Sequence, residues 1–310
     1  MRLSLTFLSK QLNLIGLANG HGGRYLGCEE AVKVLKKSKI FRECKVPLKW
    51  VAIIEETVTG QSAKALEGVA KNSEQLCEAT KSVLKKNEEL LVIGGDHSSA
   101  IGTWSGVASA LRNKGDIGLI WVDAHMDSHT LETSFTGNIH GMPVSHLLGF
   151  GNEKLTRIGD SLPKIKPQNL AMIGIRSYEP AEEKLLNSLG VKVFYMKDIH
   201  KYGLENCLDE AIKRVSQNTI GYGMSIDIDG FRVEDAPAVG TPEDDGIVAK
   251  DFMNYVRNNK MEKLIATEIV EFMPRKDDEN KKSEHLMKEL VESIYSRRFR
   301  KGIELTHNII

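Results

Sequence analysis

A chain of 310 residues, with 41% hydrophobic and 27% charged side chains, is long enough to bury a large core as one α/β domain or two smaller ones. Its 42 Lys+Arg against 42 Asp+Glu leave no net charge, so no overall field favours nucleic acid or an anionic membrane, and partners must be argued from a site. Cys28, Cys44, Cys77 and Cys207 lie far apart with no C-x-x-C pair, which argues against a disulfide framework or zinc knot and fits a cytoplasmic protein.

At the start, "MRLSLTFLSKQLN" has one early Arg, but its apolar stretch is short and broken by Ser4, Thr6, Ser9 and Lys10, so it does not read as a leader. No run approaches the roughly 20 apolar residues that span a bilayer. No element is read between that stretch and residue 49. From there, 49–56, 89–96, 117–124, 170–177, 191–198, 220–227 and 263–272 read as strands. Between them, 61–86, 98–113, 179–189, 203–217, 247–259 and 282–298 carry apolar residues at three-and-four spacing and read as helices. This alternation predicts a three-layer αβα fold, a doubly wound parallel sheet with right-handed crossovers. Two irregular segments, 132–146 and 233–246, are too long and too particular to be plain turns.

Ligands of open parallel sheets bind beyond the carboxyl ends of the strands. There the chain places "GGDHSS" (94–99), "WVDAHMDSHT" (121–130) and "SIDIDG" (225–230). Residues two apart on an extended segment point the same way, so Asp123, His125 and Asp127 are expected to converge, as are Asp227 and Asp229. Each cluster alone has a bland reading: His97 as a turn residue after two glycines, Asp-x-Asp-Gly as turn chemistry. Jointly, three strand ends deliver His97, Asp123, His125, Asp127, Asp227 and Asp229 to one edge. Four gathered carboxylates repel unless cations sit among them. An oxygen-rich set with two imidazoles and no thiolate suits Mn²⁺ better than structural Zn²⁺. Two-metal sites draw a bridging water's pKa toward neutrality and produce hydroxide, so the implied chemistry is metal-assisted hydrolysis.

"GGDHS", "WVDAHMD", "GNIHGMP", "SIDIDG" followed by "DAPAVGTP", and "EIVEFMP", in that order, resemble the arginase branch of the ureohydrolase family over about residues 89–300. The resemblance implies a single arginase-like domain over 1–310 that hydrolyses the guanidino group of L-arginine to L-ornithine and urea, with two Mn²⁺ per subunit. It further implies that His97, Asp123, Asp127 and Asp227 hold one ion and Asp123, His125, Asp227 and Asp229 the other. By the same likeness Asp127 is the catalytic acid, His140 the proton shuttle, and Glu271 the carboxylate that receives the guanidinium two-pronged. Glu268 is the next carboxylate on that segment. His129, Thr136, Glu179, Glu182 and Thr241 match positions that read the amino-acid end of the substrate. His129 stands where the family usually has Asn, Ser177 where many members have Asp, and Arg232-Val233 where Asp-Pro is usual. These departures leave room for a related ureohydrolase of the agmatinase, guanidinobutyrase or formiminoglutamase type, or for a non-catalytic metal-binding scaffold. Family likeness also implies a homo-oligomer, trimer or hexamer, acting on a small guanidino molecule, with no nucleic acid or membrane partner.

Overall fold

The structure is a computed structural model that describes residues 11–56 and 60–304; the stretch 1–10, read above as no leader, lies outside the described residues. Its strands are β1 (Leu12–Ala18), β2 (Leu48–Glu55), β3 (Leu90–Ile93), β4 (Gly118–Val122), β5 (Leu170–Ile175), β6 (Lys192–Tyr195), β7 (Tyr222–Asp227) and β8 (Leu264–Val270). They form one eight-stranded sheet, parallel throughout, in the order β2-β1-β3-β8-β7-β4-β5-β6. The helices are α1 (Ala31–Lys37), α2 (Lys39–Arg42), α3 (Leu66–Leu84), α4 (Ser99–Leu111), α5 (Pro143–Leu147), α6 (Glu153–Thr156), α7 (Pro180–Leu189), α8 (Met196–Tyr202), α9 (Leu204–Ser216), α10 (Ala249–Asn258) and α11 (Lys282–Glu304).

Strand periodicity sorts the core into two faces. On β4, Leu119 and Trp121 join the apolar cluster that holds Leu76 of α3 and Trp104 of α4. Ile120 and Val122, one residue out of step, join the cluster of Leu208 on α9, Phe252 on α10 and Leu290 on α11. Both faces are covered, which is why these strands read as unbroken apolar runs rather than as alternating ones. Each fully buried Leu, Ile, Val or Phe contributes roughly 1.5–3 kcal/mol. Helix α4 lies so close to β7 that a Cβ on Gly223 would stand 1.9 Å from the Trp104 ring.

Two features differ from the sequence reading. Strand β1, buried at all seven positions, occupies a segment in which no element is read; it pairs with β2 and β3, and its buried Asn13 donates from Nδ2 to the Glu89 carbonyl at 3.2 Å. The run 191–198 is strand only to Tyr195. There Asp198 Oδ2 accepts the Tyr195 N–H at 3.0 Å and opens α8, a local cap that outweighs the β-propensity of "VFY".

Candidate active site

The four strands at the middle of the sheet, β3, β8, β7 and β4, are neighbours, and they present their carboxyl ends side by side. Strand β3 leads into Gly94-Gly95, where the chain passes so near β1 that a Cβ on Gly95 would lie 1.7 Å from the Asn19 carbonyl oxygen. Only glycine fits there. The following Asp96 is a bracket rather than a ligand, since its carboxylate accepts from Gly22 N, Ser98 N and Asn19 Nδ2. That bracket aims His97 at the ends of β7 and β4.

His97 is buried, and its ring stacks on Trp121 with centroids 4.0 Å apart and planes within 9°. Its Nε2 meets Ser225 Oγ at 3.0 Å, and that hydroxyl in turn donates to Glu268 Oε2 at 2.9 Å. The Nε2 therefore carries the hydrogen, and Nδ1 turns a lone pair toward Asp123, Asp127 and Asp227 oxygens at 3.1, 3.1 and 3.2 Å. This Nδ1 has no hydrogen-bond partner. A lone pair buried among three carboxylates is stable only around a cation. In the protein alone a proton fills that role: burial opposes the His97 charge, but the three acids push its pKa well above the ordinary value.

A second convergence adjoins the first. His125 Nδ1 lies 3.2 Å from Asp229 Oδ2 and 3.4 Å from Asp123 Oδ1. Asp123 thus touches both imidazoles, one with each oxygen, and the groups His97/Asp123/Asp227 and Asp123/His125/Asp229 share it as a corner. Burial would raise the Asp123 carboxyl, yet the two imidazoles hold it below the usual carboxylate range. Asp227 goes the other way, raised well above that range by burial, Asp229 and Asp123. Two His/Asp triads with a common carboxylate and no sulfur are compatible with a pair of hard divalent cations.

The convergence arises differently at the two strand ends. Strand β4 stops at Val122, and the chain reaches Asp127 in left-handed backbone, φ 46°, with Ala124 and Met126 packed into the core. After β7 the chain tightens into a single turn over Ile228–Gly230, because Asp227 Oδ1 accepts the Asp229 N–H at 2.8 Å. Alternation thus carries His125, whose backbone still bridges Ser177 in parallel, while turn geometry brings in Asp229.

Over these residues opens a cavity of about 240 Å³, lined among others by Asp127, His140, Glu271 and all five tail positions, His129, Thr136, Glu179, Glu182 and Thr241. Glu271, at the end of β8 with φ 64°, is anchored on three sides. Its Oε1 accepts the His97 N–H at 2.8 Å and His140 Nδ1 at 2.9 Å, while Oε2 takes the Cys28 thiol at 3.2 Å. Burial opposes the His140 charge, but Glu271 overcomes it and the ring is pushed up to about 9. Glu268 faces elsewhere, fully buried in a cage of Ser99, Thr103 and Ser225 hydroxyls.

Three of the tail positions, His129, Glu179 and Glu182, are wired to one another. His129 Nε2 stands 2.9 Å from Glu179 and 3.4 Å from Glu182, and its Nδ1 meets Thr133 Oγ1 at 3.0 Å. Glu182 caps α7, accepting the Glu179 N–H at 3.0 Å and the Ser128 N–H at 3.0 Å. Burial and the neighbouring Glu179 push its carboxyl up to about 8. Thr241 donates to Asp229 Oδ2 at 3.1 Å, and Thr136 accepts the Asn138 N–H at 3.2 Å. Sequence reasoning missed Trp121, whose Nε1 donates to Asp123 Oδ2 at 2.8 Å, as well as Cys28 and Ser225. Ser225 opens the quoted "SIDIDG", so inspecting the position before each acid pair would have found it; nothing in the chain links Cys28 to Glu271, 243 residues on.

A model described as the Arginase family matches residues 18–296. The chain is similar to the arginase of Brevibacillus brevis, 41% identical over 221 residues that cover 71% of this chain and 73% of that protein. It is similar to the arginase of Bacillus caldovelox at 40% over 217 residues, 70% of this chain and 72% of that one. The crystal structure of arginase from Bacillus subtilis superposes with a TM-score of 0.83 at 31% identity, covering 92% of this chain and 98% of that chain.

Proposed function

This chain belongs to the arginase family of hydrolases, and from that premise we propose that it hydrolyses the guanidino group of L-arginine to L-ornithine and urea, using two Mn²⁺ per subunit. The observation that carries this reading is the pair of triads sharing Asp123 beneath a cavity into which Glu271 and His140 both project. His97, Asp123, Asp127 and Asp227 would hold one ion, and Asp123, His125, Asp227 and Asp229 the other. When bound, such ions supply hydroxide near neutral pH.

The remaining roles fall to the chain's own groups. Glu271 takes the guanidinium. Its Oε1 already has two N–H donors, so Oε2, whose thiol partner is a weak donor, is the oxygen with capacity left, and a two-pronged fit gives way to a one-sided one. Asp127 lines the cavity beside Asp227 and Glu271, where its carboxylate is placed to accept a proton from attacking water and deliver it to the departing amine. His140 spends Nδ1 on Glu271, which leaves Nε2 to pass a proton at the cavity wall. A non-catalytic scaffold would have no use for this arrangement of non-ligand residues. One sheet through the described residues supports reading 1–310 as a single domain, and four free cysteines support a cytoplasmic setting. No helix among the described residues is long and apolar enough to cross a membrane. Assembly as a trimer or hexamer goes with the family reading and is checked by light scattering.

Urea release is the test. With arginine, agmatine and 4-guanidinobutyrate followed by urea, and formiminoglutamate, which yields no urea, followed by formamide, each measured after chelation and after Mn²⁺ is returned, arginine should be turned over fastest and only with metal. Turnover undiminished in protein shown by metal analysis to be stripped would overturn the metal reading; preference for agmatine would move the substrate to the related type.

A further inference from the structure

The ring nitrogen of His125 that faces away from the acids has its own carboxylate. Nδ1 looks toward Asp229 and Asp123, while Nε2 lies 3.8 Å from Glu243 Oε1. That distance is ion-pair reach, not a hydrogen bond, and a small rotation of the ring or of the exposed carboxylate closes it. Glu243 comes from the long loop 231–247, and two fixtures bring it here. Ser177 Oγ donates to the same Oε1 at 3.0 Å, and Ser177 is itself bridged to His125 through the backbone. Arg176 clamps the loop root: its guanidinium donates to the carbonyls of Asp229, Glu243 and Asp244 at 2.8, 2.9 and 2.7 Å, so the segment bearing Asp229 and the segment bearing Glu243 are held by one side chain. Ser177 lines the cavity but Glu243 does not, so the carboxylate addresses the histidine rather than the substrate.

We infer that Glu243 is a positioning residue for the metal centre: it receives the Nε2–H of His125, fixes the tautomer with Nδ1 as the free donor atom, and Ser177 holds it in place. The inference rests on the two-ion reading above. A carboxylate behind a ligating imidazole sets ring orientation and raises the basicity of the ligating nitrogen, and losing it commonly weakens metal affinity 10–100-fold. It also accounts for Ser at position 177, since a hydroxyl there supports Glu243 where a second acid would repel it.

The experiment is calorimetric titration of Mn²⁺ into stripped full-length protein, with Glu243→Gln, Glu243→Ala and Ser177→Ala beside wild type. Glu243→Ala should weaken one of two Mn²⁺ sites roughly 10–100-fold. Glu243→Gln, which keeps an acceptor without its charge, should fall between it and wild type, and Ser177→Ala should lose less than Glu243→Ala. Melting temperatures of the stripped variants should match wild type, which a merely structural role would not allow. Two sites of unchanged affinity in Glu243→Ala overturn the inference, as does a rise in KM for arginine with metal affinity unmoved, which would make Glu243 a substrate contact. Ion counting needs no turnover: a wild type that binds two ions and cleaves no guanidino compound sinks the substrate reading alone, whereas a wild type that takes up no ion sinks both.

Discussion

Asp127 and Glu271 face one cavity from the ends of two different strands, and both hold left-handed backbone, with φ of 46° and 64°. Non-glycine residues in that region cost of order 1–3 kcal/mol and persist where the surroundings over-determine them. Each is pinned: the Asp127 carbonyl accepts the Val144 N–H at 2.9 Å, and the Glu271 N–H donates to the Gly95 carbonyl at 2.7 Å.

For Asp127 this backbone decides which substitution is informative. Asn tolerates left-handed φ about as well as Asp, so Asp127→Asn isolates the lost proton acceptor, whereas Asp127→Ala adds strain. Asp127→Asn should keep most of its Mn²⁺ by elemental analysis while kcat drops by about 10²–10⁴, the scale of general acid–base groups. Near-normal turnover with both ions bound would leave Asp127 a ligand only.

Glu271→Gln tests the guanidinium clamp. The amide preserves shape and one acceptor but removes the charge, and charged hydrogen bonds contribute roughly 1.5–3 kcal/mol. We expect unchanged manganese content and a kcat/KM at least about tenfold lower on arginine. Kinetics indistinguishable from wild type would remove Glu271 from the substrate's contacts, and Glu268 could not replace it, being sealed among hydroxyls under the sheet end.

Stability of stripped protein should fall as pH rises. His140, opposed by burial but held charged by Glu271, titrates at about 9 when folded, against roughly 6.5 unfolded. A folded pKa raised above the unfolded value gives stability that is full below about pH 6.5 and lost as pH climbs through about 9. Glu182, raised by burial to about 8, has the same sign: protonated it favours the fold, and the benefit goes as pH passes its folded value. Melting of chelated protein between pH 6.5 and 9 should show the decline, and Glu271→Gln should flatten it. A melting temperature that rises over this range contradicts the assignment.

Arg176→Met should loosen the loop that carries Thr241 and Glu243. The guanidinium also donates to the Gly174, Gly230 and Phe231 carbonyls at 3.2, 3.3 and 3.3 Å. Leaving several half-buried carbonyls without donors costs roughly 1–3 kcal/mol each. Urea denaturation should show a loss above about 2 kcal/mol, together with reduced Mn²⁺ content. Arg176→Lys should rescue little, since a point charge cannot span both segments. Stability equal to wild type would show that the clamp holds nothing.

Acid and imidazole pairs at strand ends were legible because a parallel sheet brings its carboxyl ends to one edge whatever the strand order. Which four strands are adjacent was not, since nothing local in 89–96 says that β3 will lie beside β8. Strand β1 escaped because its apolar run follows a polar-interrupted stretch and contains Asn13, satisfied only by Glu89 in the folded sheet. Trp121 read as core, and it is; that its indole N–H would also hold Asp123 depends on the bend after Val122. Cys28 and Glu243 act on Glu271 and His125 across long separations in sequence and belong to no spacing pattern.

The place of β8 between β3 and β7 has a consequence for the chain as it is made. By residue 229 a growing polypeptide has already displayed every side chain of the two triads, yet β4 and β7 can pair with each other while β3 reaches them only through β8. His97 and Asp227 therefore have no fixed distance until residues 264–270 have emerged and slotted between their strands. The triad of Asp123, His125 and Asp229 needs only β4 beside β7, whereas the one that includes His97 waits for the last strand of the sheet, so the two halves of the site are completed at different stages of folding.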